Sequence, residues 1–514
     1  MLITAGLAFF VSSACVSSKR NLDSSELRVA LNSIELDKGL TYRRADLAGR
    51  GGSISWWVSL GVARSQNEVE DAADCSLALG MEPRTINFTF PGTSGGQYSE
   101  VIAGNFPTRA QAESYLDGRQ LTPNCTPQIK ASGLYPSDQS HPTVIHVLMV
   151  DPEKFRGELI AARGPQDASG VSKPSDVMQI KGALAATNGG FFVMEETDGV
   201  VGEPAGISVL RGSLQSEATR GRPWVEIFNH PQIKVTIRQD EPKQGPTLVA
   251  ANGQQIPLDG VNRMAGLLRN CGALLYKSFE APMHDVTCKP EDELIAITAK
   301  SRLLYRPQKE HTEYELSDDG TLKFLDGTLQ SARPNIRFVA TGKRRAELQA
   351  FAQQVGPFKL LLGQFGASER TSGLFAVNGG PTLVSKGRPQ RLADVQGWPF
   401  FSVNREQAGE IHKFVDLRAP RTALGATVSG QILLVVVDGW RYRTDKEPQV
   451  PMNGGATLDE LTTIMLNLGA MEAINLDGGG SSVMAIQGAV VSNPSDDQGE
   501  RPVGDSLLLI PSRR

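Results

Sequence analysis

Short apolar runs broken by glycine turns dominate the sequence from residue 141 onward. Two segments instead have helical periodicity, residues 344–355 and 457–468, and the second places leucine, isoleucine and methionine on one face. The pattern predicts one large β-rich α+β domain over residues 142–514, with a more polar insertion at about 263–335. The runs that predict its strands are 143–150, 184–186, 234–237, 293–299, 375–377, 431–437, 473–476 and 507–510.

A second, smaller unit is predicted over residues 53–123. Its β-prone runs and helical segments alternate in the order βαββα, which predicts a small open-faced α/β sandwich. Asn67 is the expected cap of its first helix and Thr108 the expected cap of its second. The strands are expected at 55–60, 84–90 and 98–103, and the helices at 67–79 and from 108. Residues 16–52 read as a tether with one short helix around 25–36, and residues 124–141 as a linker rich in Pro, Ser, Thr and Gly.

The second half of this small unit carries a more specific signal. After a strand come Gly104 and Phe106, two residues apart, and then a helix that opens Thr108-Arg109-x-x-Ala112-Glu113. This segment is similar to the sporulation-related repeat (SPOR) domain, whose members bind peptidoglycan glycan strands in bacterial envelopes. The resemblance therefore implies peptidoglycan as a partner of residues 53–123. Alternatively, the unit is a ferredoxin-like module without a ligand.

Composition and charge exclude several classes of protein. The 514 residues include 52 Lys and Arg against 56 Asp and Glu, so the net charge is −4. A chain without a basic excess lacks the charge that neutralises a nucleic-acid backbone, so no nucleic-acid partner is predicted. The abundance of glycine, 53 residues, with no long heptad pattern argues against a coiled coil or a helical repeat.

The first residues resemble an export signal. The apolar run at 2–11 is too short to span a bilayer as a helix, and the small residues Ser12, Ser13 and Ala14 follow it, before Cys15. We expect a signal peptide over residues 1–15, and a lipoprotein signal would make Cys15 the lipidated first residue. The protein would then be exported to the periplasm or the outer membrane, touching the membrane only through a lipid anchor. Simple secretion and a buried N-terminal element are the alternatives.

Export would change the interpretation of the five cysteines, because thiols pair in oxidising compartments. Cys75 and Cys125 lie in one N-terminal block, and Cys271 and Cys288 bracket a short stretch of the large domain. Two local disulfides and a lipidated Cys15 would account for all five, and buried free thiols are the alternative. The sequence has no C-x-x-C, and its six histidines lack zinc-ligand spacing. No metal site or cofactor is predicted, although a divalent metal ion stays open.

Three apolar strands are each followed by the same kind of turn, an Asn or Asp next to consecutive glycines. They run into Asn188-Gly189-Gly190, into Asn378-Gly379-Gly380, and into Asp477-Gly478-Gly479-Gly480-Ser481. Each turn places a polar side chain at a strand end and bares main-chain N–H groups beside it. This combination suits sugar hydroxyls or phosphate oxygens. Any one of the Asn-Gly pairs could instead be ordinary hairpin chemistry.

Three charged residues accompany these turns. Arg421 opens a strand, where a guanidinium forms a good fork for phosphate. Asp438 ends the apolar run 431–437 and is therefore expected to face a cleft. Arg501 precedes the last strand, in the sequence Arg501-Pro502-Val503.

Together these segments resemble the phosphodiester glycosidase family, whose members cleave a sugar from the phosphate that bridges it to another group. The resemblance extends over residues 178–512, and Asp477-Gly-Gly-Gly-Ser481 is its most specific part. It implies an exported bacterial hydrolase for N-acetylglucosamine-1-phosphodiester-like bonds in envelope glycans or exopolysaccharide. A non-catalytic glycan-binding envelope protein is the alternative.

The chemistry of such a reaction gives each residue a hypothetical role. A phosphate leaving group is a weak base, so the site needs an anion clamp and a carboxylate more than a strong general acid. We assign Asp477 as the leading carboxylate and Asp438 as the second, without deciding which acts as base or nucleophile. Arg421 and the backbone of Gly478, Gly479 and Gly480 are assigned to the phosphate, and Asn188 and Asn378 to sugar hydroxyls. The other residues predicted to bind the substrate or its phosphate, without a separate role, are Gly189, Gly190, Gly379, Ser481 and Arg501.

Overall fold

The computed structural model describes most of the chain from residue 33 to residue 512. The described residues are 33–47, 56–63, 65–89, 97–107, 109–117, 119, 125, 127–131, 143–165, 170–219, 221–239, 245–270, 287–299, 301, 310–325, 336–363, 372–390, 414–415, 418–439, 454–496 and 498–512. The predicted signal peptide with Cys15, the predicted disulfide partner Cys271, and most of the tether and linker lie outside them. Among the described residues, no helix combines the length and apolar character needed to cross a membrane.

Strands outnumber helices in the described residues, as the pattern of short apolar runs predicts. The helices are α1 (Gln66–Ala78), α2 (Arg109–Leu116), α3 (Pro174–Lys181), α4 (Arg344–Phe351) and α5 (Leu458–Asn467), and a 3₁₀ turn covers Gly479–Ser481. The large domain is therefore a β-rich α+β domain, and this part of the predicted fold class is confirmed.

An antiparallel sheet of eight strands forms the centre of the large domain. Its spatial order is β1 (Ile34–Asp37), β2 (Leu40–Leu47), β7 (Thr143–Val150), β28 (Ile432–Val437), β27 (Arg421–Thr427), β29 (Ala470–Asn475), β25 (Thr382–Ser385) and β26 (Arg388–Pro389). Strand β28 is apolar at every position because both of its faces are buried. Helix α5 covers one face through Leu458, Leu461 and Met465. The sequence signals the start of α5, where Thr457 and Glu460 form a capping box.

Two five-stranded sheets share a hydrophobic core with the other face of the central sheet. One has the order β31 (Ala489–Val490), β30 (Met484–Ile486), β9 (Ala185–Asn188), β32 (Ser506–Ile510) and β8 (Glu158–Ala162). The other has the order β11 (Ser213–Ser216), β10 (Ser208–Leu210), β24 (Leu374–Asn378), β12 (Trp224–Phe228) and β13 (Lys234–Arg238). Their shared core brings the ends of β9, β24 and β29 toward one another.

The polar insertion is larger than the predicted 263–335. A separate core, which includes Leu248, Leu294, Phe338 and Phe358, is built from residues on both sides of that range. The boundaries were wrong because the flanking strands have the same apolar pattern as the rest of the domain. The strands are β14 (Thr247–Val249), β15 (Gln255–Pro257), β16 (Gly260–Val261), β17 (Leu268–Arg269), β18 (Thr287–Cys288), β19 (Leu294–Thr298), β20 (Thr312–Leu316), β21 (Leu322–Leu325), β22 (Ile336–Ala340) and β23 (Lys359–Leu361).

The small unit has one strand more than predicted. Its sheet has the order β4 (Pro83–Thr89), β5 (Gln97–Phe106), β3 (Trp56–Ala63) and β6 (Gln128–Ala131), with every pair antiparallel. This is a split β-α-β topology of the ferredoxin-like kind. Strand β6 lies in the stretch predicted as a linker.

Two further details of the small unit concern predicted residues. Helix α1 is capped by Ser65, whose Oγ accepts from Glu68 N, and not by Asn67 as predicted. Both residue types are good caps, and the observed cap lies two residues before the one that the apolar periodicity indicates. Cys75 and Cys125 form a disulfide, with their Cα atoms 5.7 Å apart. The predicted local disulfide between these two cysteines is therefore confirmed.

The prediction of a tether over residues 16–52 was wrong for residues 33–47. Strands β1 and β2 form a hairpin, and all eight residues of β2 pair with β7. The polar residues of β2 misled the prediction, because β2 lies near the sheet edge and, among its residues 40–45, only Leu40 and Tyr42 are fully buried. Since Leu47 pairs with Thr143, the small unit is inserted between two neighbouring strands of the central sheet.

Candidate active site

Three glycine turns meet where three sheets share their core. Strand β9 ends at Asn188, β24 ends at Asn378, and β29 ends at Asn475, two residues before Asp477. Each strand belongs to a different sheet. The structure thus brings together the three turns that the sequence picked out separately.

The first turn holds the main chain on both sides of Asp477. The side-chain Nδ2 of Asn188 donates to the Asp477 carbonyl at 2.7 Å. The Asp477 N–H donates to the Gly189 carbonyl at 3.2 Å. Asp477 is therefore fixed at its N–H and at its C=O by two adjacent residues of another sheet.

The second turn, at Asn378–Gly380, forms hydrogen bonds with both of the others. Asn378 accepts from Phe191 N at 2.9 Å through Oδ1 and donates to Phe191 O at 3.1 Å through Nδ2. The Gly380 N–H donates to Asn475 O at 2.7 Å, and Asn475 Nδ2 returns a bond to Gly380 O at 2.9 Å. The three turns consequently form a closed set of contacts.

The side-chain amides of Asn188 and Asn378 are occupied by protein partners. Both residues are almost completely buried. The Oδ1 of Asn188 accepts from Thr422 Oγ1 at 2.7 Å and from Val483 N at 3.2 Å, while its Nδ2 serves Asp477. In this structure the two asparagines hold the turns, whereas the sequence interpretation assigned them to sugar hydroxyls.

Glycine is required in these turns because other groups lie where a side chain would be. A Cβ on Gly189 would lie 2.2 Å from Asp505 Oδ1, and one on Gly190 would lie 2.6 Å from Asn378 O. A Cβ on Gly379 would lie 2.8 Å from Asn475 O, and one on Gly480 would lie 2.2 Å from Arg501 Nη2. Such distances do not occur for real Cβ atoms, so the close approach of the three turns depends on glycine.

The Asp477–Gly480 loop is the partly exposed element of this set. Asp477 and the three glycines are each of intermediate exposure, whereas Ser481 and Ser482 are buried. The Gly478 N–H donates to Asp477 Oδ1 at 2.8 Å, and the Gly479 N–H donates to Pro420 O at 2.9 Å. The loop therefore presents a carboxylate and glycine backbone to a ligand while neighbouring elements keep it in place.

Arg501 lies against this loop. Its guanidinium forms a two-point ion pair with Asp496, with Nε–Oδ2 at 2.5 Å and Nη2–Oδ1 at 2.7 Å. Its Nη1 donates to Ser481 Oγ at 3.4 Å. The side chain is one-quarter exposed, so Arg501 contributes a partly accessible cation next to the glycine backbone.

Arg421 is buried on the other side of the loop. Its Nε donates to Ala456 O at 3.0 Å, and its Nη2 donates to Phe414 O at 2.7 Å. The guanidinium carbon lies 5.3 Å from the centre of the Phe414 ring, and the side chain borders Gly478. Arg421 thus ties segments 414–415 and 454–456 to the loop.

Asp438 is buried in a chain of polar groups that crosses the central sheet. Its Oδ2 lies 3.0 Å from His146 Nε2, and its Oδ1 accepts from Asn493 N at 2.9 Å. The His146 Nδ1 lies 2.9 Å from the Tyr42 hydroxyl. Tyr42, in β2, and His146, in β7, were not predicted as site residues. A histidine inside an apolar strand was the available signal.

Asp505 is a further buried carboxyl group that the sequence interpretation missed. It precedes β32, and its Oδ1 accepts from Gly190 N at 2.8 Å. Burial raises the pKa of this carboxyl to about 6, and the Gly190 N–H and the charge of Arg163 offset only part of that effect. The available signal was an acidic residue directly before an apolar strand.

Two predictions about cysteines and metals concern this part of the chain. Cys288 is disulfide-bonded, but its predicted partner Cys271 lies outside the described residues. Among the residues that the structure describes, no group of three or more His, Cys, Asp or Glu side chains is placed to hold a metal ion.

The comparison with known families bears on the carboxyl-terminal part of the chain. Residues 297–510 match the family model for phosphodiester glycosidase. This stretch contains Asn378, Arg421, Asp438, Asp477 and Arg501. The predicted resemblance is therefore confirmed as a match of residues 297–510 to this family's model.

Individual relatives match over shorter stretches. The N-acetylglucosamine-1-phosphodiester alpha-N-acetylglucosaminidase of Bos taurus is 35% identical over 91 residues, which cover 18% of this chain and 15% of the bovine protein. The enzyme of the same name from Mus musculus is 28% identical over 181 residues, which cover 35% of this chain and 29% of the mouse protein. The matched stretches thus span less than a third of these relatives.

A solved bacterial structure is similar over nearly the whole chain. It is the crystal structure of a protein from Burkholderia pseudomallei K96243 that is inferred to be exported. It superposes with a TM-score of 0.78 at 26% sequence identity, covering 93% of this chain and 96% of that one. The fold is therefore shared with a bacterial protein well beyond the family-matched region.

Proposed function

We propose that this protein hydrolyses glycosyl phosphodiesters, breaking the bond between the anomeric carbon and the phosphate oxygen. The observation that carries the proposal is the partly exposed Asp477–Gly480 loop, fixed at the junction of three sheets beside Arg501. This loop lies within the region that matches the phosphodiester glycosidase family. The preferred substrate class is an N-acetylglucosamine-1-phosphodiester, which the names of the mammalian relatives support.

Asp477 is the carboxylate that serves the anomeric carbon. Its carboxylate is at a partly exposed position, and the Gly478 N–H orients it through Oδ1. In the reaction, water adds its oxygen to the anomeric carbon as the bond to the phosphate oxygen breaks. A negative charge at this place stabilises the oxocarbenium-like centre. The products are the free sugar, which keeps the water oxygen and one of its protons, and a phosphate monoester, which keeps the electron pair of the broken bond; the second proton passes to the monoester or to solvent.

The departing phosphate is bound by the loop and Arg501. The Gly480 N–H donates to no acceptor among the described residues, which leaves it available to an anion. The Arg501 guanidinium lies directly against Gly480, with Nη1 facing Ser481 Oγ. A backbone N–H and a guanidinium side by side suit the oxygens of a phosphate. Buried Arg421 supports this wall of the site through its bonds to two carbonyls.

Asp438 has a structural role in this proposal. Both of its carboxylate oxygens are bound, one by His146 and one by Asn493 N. A buried carboxylate held in this way aligns the end of β28 and the segment around Asn493. We therefore give Asp438 a positioning role and leave the reacting carboxylate to Asp477.

The decisive experiment is an Asp477→Asn substitution assayed for release of N-acetylglucosamine from a synthetic sugar phosphodiester. We expect at least a 100-fold loss of kcat, because the charge at the anomeric centre is lost. Asp71→Asn, at an exposed position of α1, is the control and should retain full activity. Retained hydrolysis by Asp477→Asn contradicts the assignment. Binding of the diester without release of sugar by the wild-type protein would favour the glycan-binding alternative.

We further propose that residues 53–123 bind peptidoglycan and that the protein is exported. The ferredoxin-like topology with Gly104-x-Phe106 supports the first proposal, and the Cys75–Cys125 disulfide supports the second. Sedimentation with purified sacculi should retain the full chain but not a variant in which a short linker replaces residues 53–133. Fractionation of the bacterial envelope, with mass analysis of the mature N-terminus, tests export and lipidation at Cys15.

A further inference from the structure

Asp505 accepts two hydrogen bonds from the first glycine turn, Asn188–Gly190. Its main-chain carbonyl accepts from Gly189 N at 3.1 Å, and its Oδ1 accepts from Gly190 N at 2.8 Å. The residue is 3% exposed, so water does not compete for these bonds. The absence of a side chain at Gly189 is what admits the carboxyl group to this position.

The same turn also forms two hydrogen bonds with the main chain of Asp477. The Gly189 carbonyl accepts from Asp477 N, and Asn188 Nδ2 donates to Asp477 O. A continuous series of hydrogen bonds therefore runs from the Asp505 carboxyl group through the turn to the main chain of Asp477. The series is short, since the turn is the only element between the two aspartates.

The charges around Asp505 leave it incompletely compensated. Arg163, directly after β8, is the charged side chain that acts on it. That guanidinium is shared, because its Nη1 also forms an ion pair with the buried Glu203 at 3.2 Å. Asp505 Oδ2 and Glu203 Oε1 have no hydrogen-bond partner among the described residues. Two buried carboxyl groups thus depend on one arginine.

We propose that Asp505 is a positioning residue whose ionised carboxylate fixes the Asn188–Gly190 turn, and through it Asp477, so that turnover requires Asp505 to lose its proton. The ionised form makes a charge-assisted bond to the Gly190 N–H, which is roughly twice as strong as a neutral one. The protonated form holds the turn less tightly. This inference rests on the proposed function for its kinetic readout, but not for its structural one.

The kinetic test is the pH profile of kcat. Burial places the pKa of Asp505 at about 6, so the wild-type profile should fall on the acid side with a midpoint near that pH. Asp505→Asn keeps the shape but fixes the neutral state. It should lower the plateau of kcat by about 10- to 100-fold, leave KM within about twofold, and abolish that acid limb.

A second variant shifts the same limb in a direction that a structural defect does not produce. Glu203→Gln removes the anion that shares Arg163, which lowers the pKa of Asp505 and moves the limb to lower pH. Asp319→Asn, at an exposed turn, is the control and should leave the profile unchanged. An acid limb that stays in place in Glu203→Gln, or that persists in Asp505→Asn, overturns the proposal.

The structural test does not depend on activity. In ¹⁵N-labelled protein, the amide signals of Gly190 and Asp477 should titrate together with a midpoint near pH 6, and neither should show that step in Asp505→Asn. If the wild-type protein releases no sugar but both signals titrate in this way, the proposed function fails and the coupling stands. If the Asp477 signal does not follow that of Gly190, the coupling is wrong whatever the activity.

Discussion

Asn188 and Asp477 are 289 residues apart in sequence, and the side-chain Nδ2 of Asn188 donates to the Asp477 carbonyl at 2.7 Å. Asn188 is the last residue of β9 and Asp477 lies two residues after β29, so this bond joins two sheets at the place where the candidate site lies. A loop rich in glycine gains little rigidity from its own sequence. Because Asn188 is at a buried strand end, the bond restricts the motion of the loop that carries the carboxylate.

Asn188→Ala should consequently lower activity more than substrate binding. Loss of the amide frees the Asp477 carbonyl, leaves Val483 N without this acceptor, and leaves Thr422 Oγ1 with Ser482 Oγ as its remaining acceptor. We expect kcat to fall by about 10- to 100-fold from misplacement of Asp477. The free energy of unfolding should fall by about 1–3 kcal/mol. Asn252→Ala, at an exposed position, is the control, and an unchanged kcat for Asn188→Ala would contradict the argument.

The loop glycines allow a prediction with a matched control within the same chain. A Cβ on Gly480 would lie 2.1 Å from Asp496 Oδ1 and 2.2 Å from Arg501 Nη2, whereas a Cβ on Gly245 would meet no atom within 4 Å. Gly480→Ala should therefore displace the Arg501–Asp496 pair and raise KM for the phosphodiester. Gly245→Ala should change the free energy of unfolding by less than about 0.5 kcal/mol. Steady-state kinetics and urea denaturation measure both effects, and equal behaviour of the two variants would refute the crowding argument.

The sequence revealed the parts of the site that depend on local chemistry. Asn188, Asn378 and Asp477 each stand between an apolar strand and a glycine turn, and this pattern is visible within about ten residues. The capping box of Thr457 and Glu460 is equally local, and α5 begins where that pattern predicts. Strands such as β7 and β28 were found because burial on both faces leaves an uninterrupted apolar run.

The parts that sequence reasoning missed depend on strand order. The partners Tyr42, His146 and Asp438 are brought together because β2, β7 and β28 are neighbours, and no local pattern encodes that order. The hairpin of β1 and β2 was read as a tether because an edge strand with one exposed face is polar at alternate positions. Asp505 was missed because its burial results from packing against a turn more than 300 residues away in sequence.

Strand β2, which precedes the small unit in sequence, pairs with β7 of the large domain. We therefore expect residues of β2 to stabilise the large domain. Tyr42→Phe removes the hydroxyl that bonds the buried His146 Nδ1 at 2.9 Å, and it leaves that nitrogen without this partner. We expect a loss of about 1–3 kcal/mol in the free energy of unfolding. Tyr314→Phe is the control, because the Tyr314 hydroxyl makes no hydrogen bond within the described part of the chain. Thermal denaturation of both variants tests this, and equal melting temperatures would show that the Tyr42 hydroxyl does not stabilise the fold through His146.

Asp505 should reduce stability at neutral pH while supporting activity. Because its folded pKa of about 6 lies above the ordinary value of 3.8, its contribution to stability is fully present below that ordinary value and is lost as pH rises through 6. Asp505→Asn cannot ionise, so its free energy of unfolding should exceed that of the wild type by up to about 3 kcal/mol at pH 7.5. The advantage should shrink toward zero near pH 4. Urea denaturation at the two pH values measures it, and a difference independent of pH would show that the ionisation of Asp505 costs the fold nothing.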